Sequence, residues 1–354
     1  MPVRKTAVDY DSIGFPPGKH MKKHGLNDTL DIAVVGAGPA ALGVLHAAKL
    51  ADLDAIAVDK GPVCSALCSH PTYMRWFSTS DKLELAGFPL LTSEKNPTRQ
   101  EYLKYCRAFV KYFDLRIVTY CEVISVRPAD DIFTIVGKDM FDREYLWVAR
   151  NVVMATGFYD NPRSMGIPGE NLPKVSHRYT EAHWYADHDV MIIGAGSSAA
   201  EIALELWRNG ARVTVVMRND RFQTKYWIEP DIENRIKEGS ITCFRNAEVR
   251  EIRPDDVLLE SMDGRFTIVP NDFVLAMTGY EPDTSLIEAI GAEVDQSCGK
   301  PVLTEHFETN VPGLYVAGTL CAGQESNIVF VENSREHGPA IVRHIMSKPR
   351  ANVN

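Results

Sequence analysis

One pattern occurs twice in this chain: a short apolar run, a glycine-rich turn, a helix-compatible stretch, and a second apolar run. The first copy is Asp31-Ile32-Ala33-Val34-Val35, then Gly36-Ala37-Gly38-Pro39-Ala40-Ala41, a helix to about Leu50, and Ala55-Ile56-Ala57-Val58. The second is Asp189-Val190-Met191-Ile192-Ile193, then Gly194-Ala195-Gly196-Ser197-Ser198-Ala199, a helix to about Asn209, and a strand over 212–217. Apolar runs bounded by glycine are the mark of buried parallel strands. A parallel strand pair needs a crossover helix, so each copy predicts a βαβ unit. Shorter strand-like runs follow each copy, near 115–118, 123–126, 132–136 and 145–149, and near 241–245, 249–253, 257–261 and 266–269. Each half closes on a Thr-Gly pair, Thr156-Gly157 after Val152-Val153-Met154-Ala155 and Thr278-Gly279 after Val274-Leu275-Ala276-Met277. The expected fold class is α/β: two Rossmann-like, three-layer dinucleotide-binding domains, each with an antiparallel β insertion.

The glycine positions have a physical logic. Gly36 and Gly194 permit the tight turn, and Gly38 and Gly196 let a pyrophosphate approach the backbone. Ala41 and Ala199 keep helix and strand close, while free N–H groups at the helix start face the diphosphate. The second strands end differently. Asp59 stands about 20 residues beyond Gly36, where a carboxylate accepts hydrogen bonds from ribose hydroxyls. Arg218 holds the matching place in the second unit, with Arg221 and Lys225 after it. A guanidinium there suits a 2′-phosphate, and a carboxylate would repel one. FAD is therefore expected on the first unit and NADPH on the second. A solvated basic loop is the plainer reading of Arg218 and Arg221.

Composition narrows the rest. The chain has 354 residues, 45% of them hydrophobic, and a net charge of −9. At ~150 residues per domain this allows two or three cores, and the acidic balance argues against a dedicated nucleic-acid binder. No leader-like apolar segment opens the sequence and no run nears the ~20 residues of a membrane span. The seven cysteines lack a small-domain disulfide spacing, so reduced thiols and a cytoplasmic protein are expected. The histidines show no metal-ligand spacing, and no metal is expected.

With the late segment Pro312-Gly313-Leu314-Tyr315-Val316-Ala317-Gly318-Thr319, the two units resemble the two-dinucleotide-binding flavoproteins, which include thioredoxin reductases and flavin-containing monooxygenases. The resemblance implies that Gly318 and Thr319 approach the ribityl–diphosphate arm of FAD; many members have Asp in place of Thr319. WFSTSDKLELAGFPL (76–90), NPTRQEYLKYC (96–106), KYWIEPDIENRIKEGSI (225–241), LAMTGYEPD (275–283) and VENSREHG (331–338) are similar to the narrower bacillithiol-disulfide-reductase-like (YpdA) family, over most of residues 31–345. That similarity implies an oligomeric FAD protein, reduced by NADPH, acting on a small disulfide. Members commonly carry Cys where this sequence has Ala40, so thiol chemistry at that position does not carry over.

The expected flavin contacts are Gly36, Gly38, Pro39, Ala40, Asp59, Lys60, Val123, Ala155, Thr156, Gly157, Gly318 and Thr319. Those for NADPH are Gly194, Gly196, Ser197, Ser198, Arg218, Arg221, Thr278 and Gly279. The expected domains are an arm over 1–29, a flavin domain over 30–160 and 300–354, and an NADPH domain over 161–299. Cys64 and Cys68, in a CxxxC spacing, fall in the zone where larger flavin disulfide reductases hold a redox pair; packing cysteines are the plainer reading. His337 opens the last helix, over 336–347, which in the superfamily points at the flavin, and it is a candidate proton donor to a leaving thiolate. A helix-capping cluster with Glu332, Arg335 and Glu336 is its alternative. His177-Arg178-Tyr179 resembles the approach segment of flavin monooxygenases without its preceding Phe and Gly. Three functions stay open: an NADPH-dependent reductase of a small disulfide or related electrophile, a flavin monooxygenase, and a non-catalytic flavin or NADPH sensor.

Overall fold

A computed structural model describes residues 29–325 and 328–348. The arm expected over 1–29 lies outside them apart from residue 29. The chain forms two compact units, divided at Asn161/Pro162 and Gly279/Tyr280, with Ser69–Thr72 joining the middle unit.

The split unit begins with β1 (Leu30–Val35), α1 (Pro39–Leu50) and β2 (Ala55–Val58). Short helices α2 (Ser65–Cys68) and α3 (Ser80–Leu83) precede α4 (Arg99–Tyr112). Thr98 starts α4 in a capping box: its side chain accepts from the Glu101 N–H, and the Glu101 carboxylate accepts from the Thr98 N–H,. Then come β3 (Ile117–Val118) and the antiparallel meander β4 (Cys121–Ala129), β5 (Ile132–Asp139) and β6 (Glu144–Met154). The eleven-residue β6 changes partners along its length. Its first part pairs with β5 antiparallel, and its last part runs parallel to β1, Val34 opposite Val153.

The middle unit repeats the design. Its parallel sheet runs in the order β10 (Thr242–Phe244), β9 (Arg212–Val216), β8 (Asp189–Ile193), β14 (Phe273–Ala276), β7 (Val175–Ser176). Helices α5 (Ser197–Arg208) and α6 (Glu229–Lys237) cover one face, meeting Val190, Ile192, Val213 and Val215. The antiparallel sheet β11 (Ala247–Ile252), β12 (Asp256–Ser261), β13 (Phe266–Pro270) covers the other, meeting Met191, Val216 and Val274. Neighbouring residues of one strand thus feed opposite layers, as the period-two geometry of a strand requires.

The tail returns to the split unit with α7 (Ser285–Ile290), the hairpin β15 (Val294–Asp295) and β16 (Lys300–Pro301), β17 (Leu314–Val316), α8 (Val331–Ser334) and α9 (His337–Ser347). Strand β17 pairs parallel with β6, Leu314 opposite Val152. The layers sort by alternation again: Ile32, Val34 and Val153 face α1 and α9, while Ala33, Val35 and Val152 face a cluster with Trp147, Ile287 and Ile290. Because α7 supplies Ile287 and Ile290 to that cluster, residues 280–299 group with the split unit, and the compact division falls after Gly279 rather than at the expected 299.

Candidate functional site

In the split unit three turns meet at the carboxyl end of the parallel strands. The first follows β1. Gly36 has φ +106°, and a Cβ there would lie 2.4 Å from the Ala155 oxygen, so only glycine fits,. Gly38 is the opposite case: a Cβ would meet nothing within 4 Å. No side chain caps α1, whose N-cap is Gly38, and the Leu42 N–H is bound by the Gly38 oxygen at 3.0 Å. The N–H groups ahead of Leu42 are the orphan donors of a helix start, beside an open backbone face.

Asp59 is turned toward its own chain. Its Oδ2 accepts the Ala37 N–H at 2.7 Å, and its Oδ1 accepts the Gly61 N–H at 2.7 Å and the Ser65 hydroxyl at 2.9 Å. Burial pushes its pKa up, and the three hydrogen bonds oppose that shift. A carboxylate offers about four lone-pair sites, so one remains for a ribose hydroxyl while the others clamp the turn. Lys60 pairs with Asp160 at 3.1 Å. Val123 lies half-buried in β4, near Cys121, whose N–H is bound by the Asp59 carbonyl at 2.9 Å.

The second turn follows β6. The Ala155 N–H reaches the Val35 oxygen at 2.8 Å, Thr156 is exposed, and Gly157 has φ +74°. The third follows β17. The Ala317 N–H donates to the Met154 oxygen at 2.8 Å, and a Cβ on Gly318 would stand 3.0 Å from the Ala40 Cβ. The Thr319 hydroxyl oxygen is 3.6 Å from where a Gly157 Cβ would be. Thus Ala40, Gly157, Gly318 and Thr319, remote in sequence, become neighbours.

His337 stands behind the third turn, buried, at the start of α9. Its Nδ1 accepts the Gly318 N–H at 3.2 Å, Phe307 stacks on its ring at 4.0 Å between centroids, and Cys321 Sγ lies 3.8 Å away. Burial pushes its pKa down to about 4. One step along α9, Gly338 crosses α1 so tightly that a Cβ would stand 2.4 Å from the Gly43 carbonyl carbon. A second long-range contact joins Ser78, whose hydroxyl donates to Glu332, while Glu332 Oε2 and Trp76 Nε1 are buried without a partner. Composition and spacing carry no signal for these contacts, apart from a glycine placed inside each of two helices.

All seven cysteines are free. Cys64, at φ +58°, donates its N–H to the Ala37 oxygen at 3.0 Å and packs with Leu42, Tyr102 and Cys106. A hydrogen bond with Cys106 and burial push its thiol well up. Cys68 is exposed at the end of α2, and its thiol too is pushed up, chiefly by desolvation. The thiolate is the nucleophile, so neither is primed for attack, and Cys64 has Cys106 as its thiol neighbour. Burial carries Cys321 up to about 12.

The middle unit reproduces the first turn. Gly194 has φ +143°, and a Cβ there would lie 2.5 Å from the Met277 oxygen; Gly196 faces open space. No side chain caps α5, whose N-cap is Gly196. Ser198 is exposed, and Ser197 accepts a hydrogen bond from Thr224 at 3.3 Å. Past β9, Arg218 and Arg221 are exposed and form no ion pair with the described residues, whereas Lys225 pairs with Glu201 at 2.9 Å. Thr278 donates to the Arg163 oxygen at 2.8 Å, and Gly279 has φ +91°. His177 sits 3.2 Å from Glu170, which also accepts the Met165 and Gly166 N–H groups, and Tyr179 is buried, so this segment is tied into its own unit.

The chemistry of these donors fits two dinucleotides: two open, uncapped glycine turns, one clamped by a carboxylate and one followed by two unpaired guanidinium groups. Comparison with known proteins agrees. The bacilliredoxin reductase Bdr of Bacillus subtilis is 37% identical over 320 residues, 89% of this chain and 97% of that protein. The solved bacillithiol disulfide reductase Bdr (YpdA) of Bacillus cereus superposes with a TM-score of 0.89 at 34% identity, covering 91% of this chain and all of that one. Thioredoxin reductase of Lactococcus lactis shares the fold, at TM-score 0.72 and 18% identity over 90% of this chain and 98% of its own. The family model described as pyridine nucleotide-disulphide oxidoreductase matches residues 33–318. With both turns inside that span, the chain belongs to the pyridine nucleotide-disulphide oxidoreductase family.

Proposed function

We propose that this FAD-dependent, NADPH-oxidising disulfide reductase acts on a low-molecular-weight disulfide. The duplicated open turn carries the reading, because its two copies end in opposite charges. In the split unit the orphan N–H groups after Gly38 receive the FAD diphosphate, and Asp59 holds the turn and offers its last lone pair to the ribose. Gly318 and Thr319, beside Gly157, approach the ribityl arm. In the middle unit the turn at Gly196, Ser197 and Ser198 receives the NADPH diphosphate, and Arg218 and Arg221 take the 2′-phosphate as charge-assisted donors. Bound FAD supplies two-electron transfer between nicotinamide and disulfide.

The substrate class is supported by the similar B. cereus protein, a bacillithiol disulfide reductase. No CxxC is present in the sequence to receive electrons from the flavin. Ala40 leaves no sulfur at the position where the YpdA family commonly has one. Reduction at this site therefore proceeds without a thiolate at position 40. A homo-oligomer in the cytosol completes the proposal, supported by the family resemblance and by the unpaired cysteines. No helix among the described residues is long and apolar enough to cross a membrane.

The test is anaerobic. The holoprotein is titrated with NADPH while flavin absorbance is followed, then mixed with bacillithiol disulfide. Bleaching by NADPH and recovery by the disulfide without O₂ are expected. No bleaching refutes the NADPH assignment. Recovery only in air, with oxygenation of an added amine or sulfide, refutes the disulfide assignment in favour of a monooxygenase.

A further inference from the structure

The histidine at the start of α9 was a candidate acid from its sequence alone. We infer that His337 is instead a positioning residue, a fixed acceptor that holds Gly318 and so sets the spacing of the three turns around the flavin. The inference rests on the FAD assignment of the split unit.

Three contacts fix the imidazole. The α9 backbone cannot slide, because Gly338 meets Gly43 and Val44 of α1 with no space for a methyl group. The ring cannot tilt freely, because Phe307 lies parallel to it, 23° between planes at 4.0 Å. The remaining polar contact is the acceptance of the Gly318 N–H at 3.2 Å. An N–H donor on Nδ1 places the ring proton on Nε2. Gly318 in turn sits against Ala40, the second residue of α1, and Thr319 sits beside Gly157. One imidazole thereby ties the last helix to the first, through the turn that approaches the flavin.

Acid catalysis is incompatible with this bond. A histidine that protonates a leaving thiolate near neutral pH does so as imidazolium, with N–H on both nitrogens. Nδ1–H would then face the Gly318 N–H, donor against donor, and the tie would break in every cycle. Burial opposes the imidazolium as well. The Cys321 thiol does not compete for Nδ1 at close range, since its sulfur lies 3.8 Å away and donates to the Val316 oxygen at 3.4 Å.

The test compares His337→Asn, whose amide oxygen can replace Nδ1 as acceptor, with His337→Ala, and uses Phe307→Leu as a variant that keeps the imidazole. FAD affinity by fluorescence, the flavin absorption band, and the pH profile of flavin reduction by NADPH are measured on each. His337→Ala is expected to weaken FAD about tenfold and shift the band, as loss of a buried hydrogen bond does. His337→Asn should restore affinity to within about threefold and keep the wild-type pH profile. Phe307→Leu should fall between them, and it reports even when His337→Ala fails to fold. FAD affinity unchanged in His337→Ala or Phe307→Leu overturns the inference. So does His337→Asn that binds FAD normally but loses a pH-dependent limb of its profile, the signature of an acid. Wild-type protein that takes up no FAD removes the cofactor assignment itself, a separate result.

Discussion

Two glycines lie on facing helices and should respond to the same substitution with opposite signs. Gly338→Ala puts a methyl 2.4 Å from the Gly43 carbonyl carbon, 2.5 Å from the Val44 nitrogen and 2.6 Å from the Gly43 oxygen. All three are backbone atoms, so no rotamer can move aside. Restoring ordinary contact requires α1 and α9 to part by about 1 Å, which also loosens Val44 and Leu45 against Ile341 and Val342,. Overpacking of this kind costs about 1–3 kcal/mol, and a backbone obstacle places it near the upper end. For a unit of this size that lowers the melting temperature by about 6–12 °C. Gly43→Ala differs: its Cβ would meet only the Arg335 oxygen, at 3.5 Å, an ordinary contact. Alanine inside a helix is favoured over glycine by roughly 0.5–1 kcal/mol, so this variant should melt slightly higher. Thermal unfolding of both variants, with FAD saturating and with FAD removed, is the assay. Gly338→Ala that melts with the wild type, or two variants that fall by similar amounts, would refute the argument from close approach.

Other outcomes follow from the site. Arg218→Ala should lower kcat/KM for NADPH by about tenfold and leave NADH nearly unchanged, since one exposed charge-assisted bond to phosphate is lost; equal loss with both nucleotides would contradict the 2′-phosphate role. Asp59→Ala removes the acceptor of the Ala37 and Gly61 N–H groups, and the purified variant should contain far less FAD than wild type by absorbance ratio. Stability should also depend on His337 in mild acid. Its pKa is about 4 in the fold and ~6.5 when exposed, so the unfolded chain binds the extra proton in that window and stability falls as pH drops from about 6.5 to about 4. Urea unfolding across that range should show a shallower pH slope in His337→Asn than in wild type; identical slopes would rule out the depressed value.

The repeated strand–turn–helix units were legible because every contact that defines them is local. Gly36 and Gly38 belong to one turn, and its helix and strands follow directly. The charge contrast between Asp59 and Arg218 was legible for the same reason. What Asp59 does was only half visible: a rule about ribose hydroxyls gave no hint that its carboxylate also clamps Ala37. Contacts across long stretches were not legible at all. The Gly338–Gly43 crossing, the His337–Gly318 bond and the Cys64–Cys106 packing each join segments that nothing local relates. The boundary near 280–299 was missed likewise, because Ile287 and Ile290 show an apolar face without showing which core it meets.

The dual role of β6 bears on the order in which the chain can mature during synthesis. Its last residues stay half-edged until β17 arrives beside them, Val152 waiting for Leu314. At roughly 5–20 residues per second that wait lasts about 10–30 s on a ribosome. The middle unit, nearly contiguous from Pro162 to Gly279, has every strand of its sheet before then. A nascent chain would thus hold every strand of the middle unit's sheet while the split unit still lacks its third turn, and any ligand that needs that turn waits for the final stage of translation.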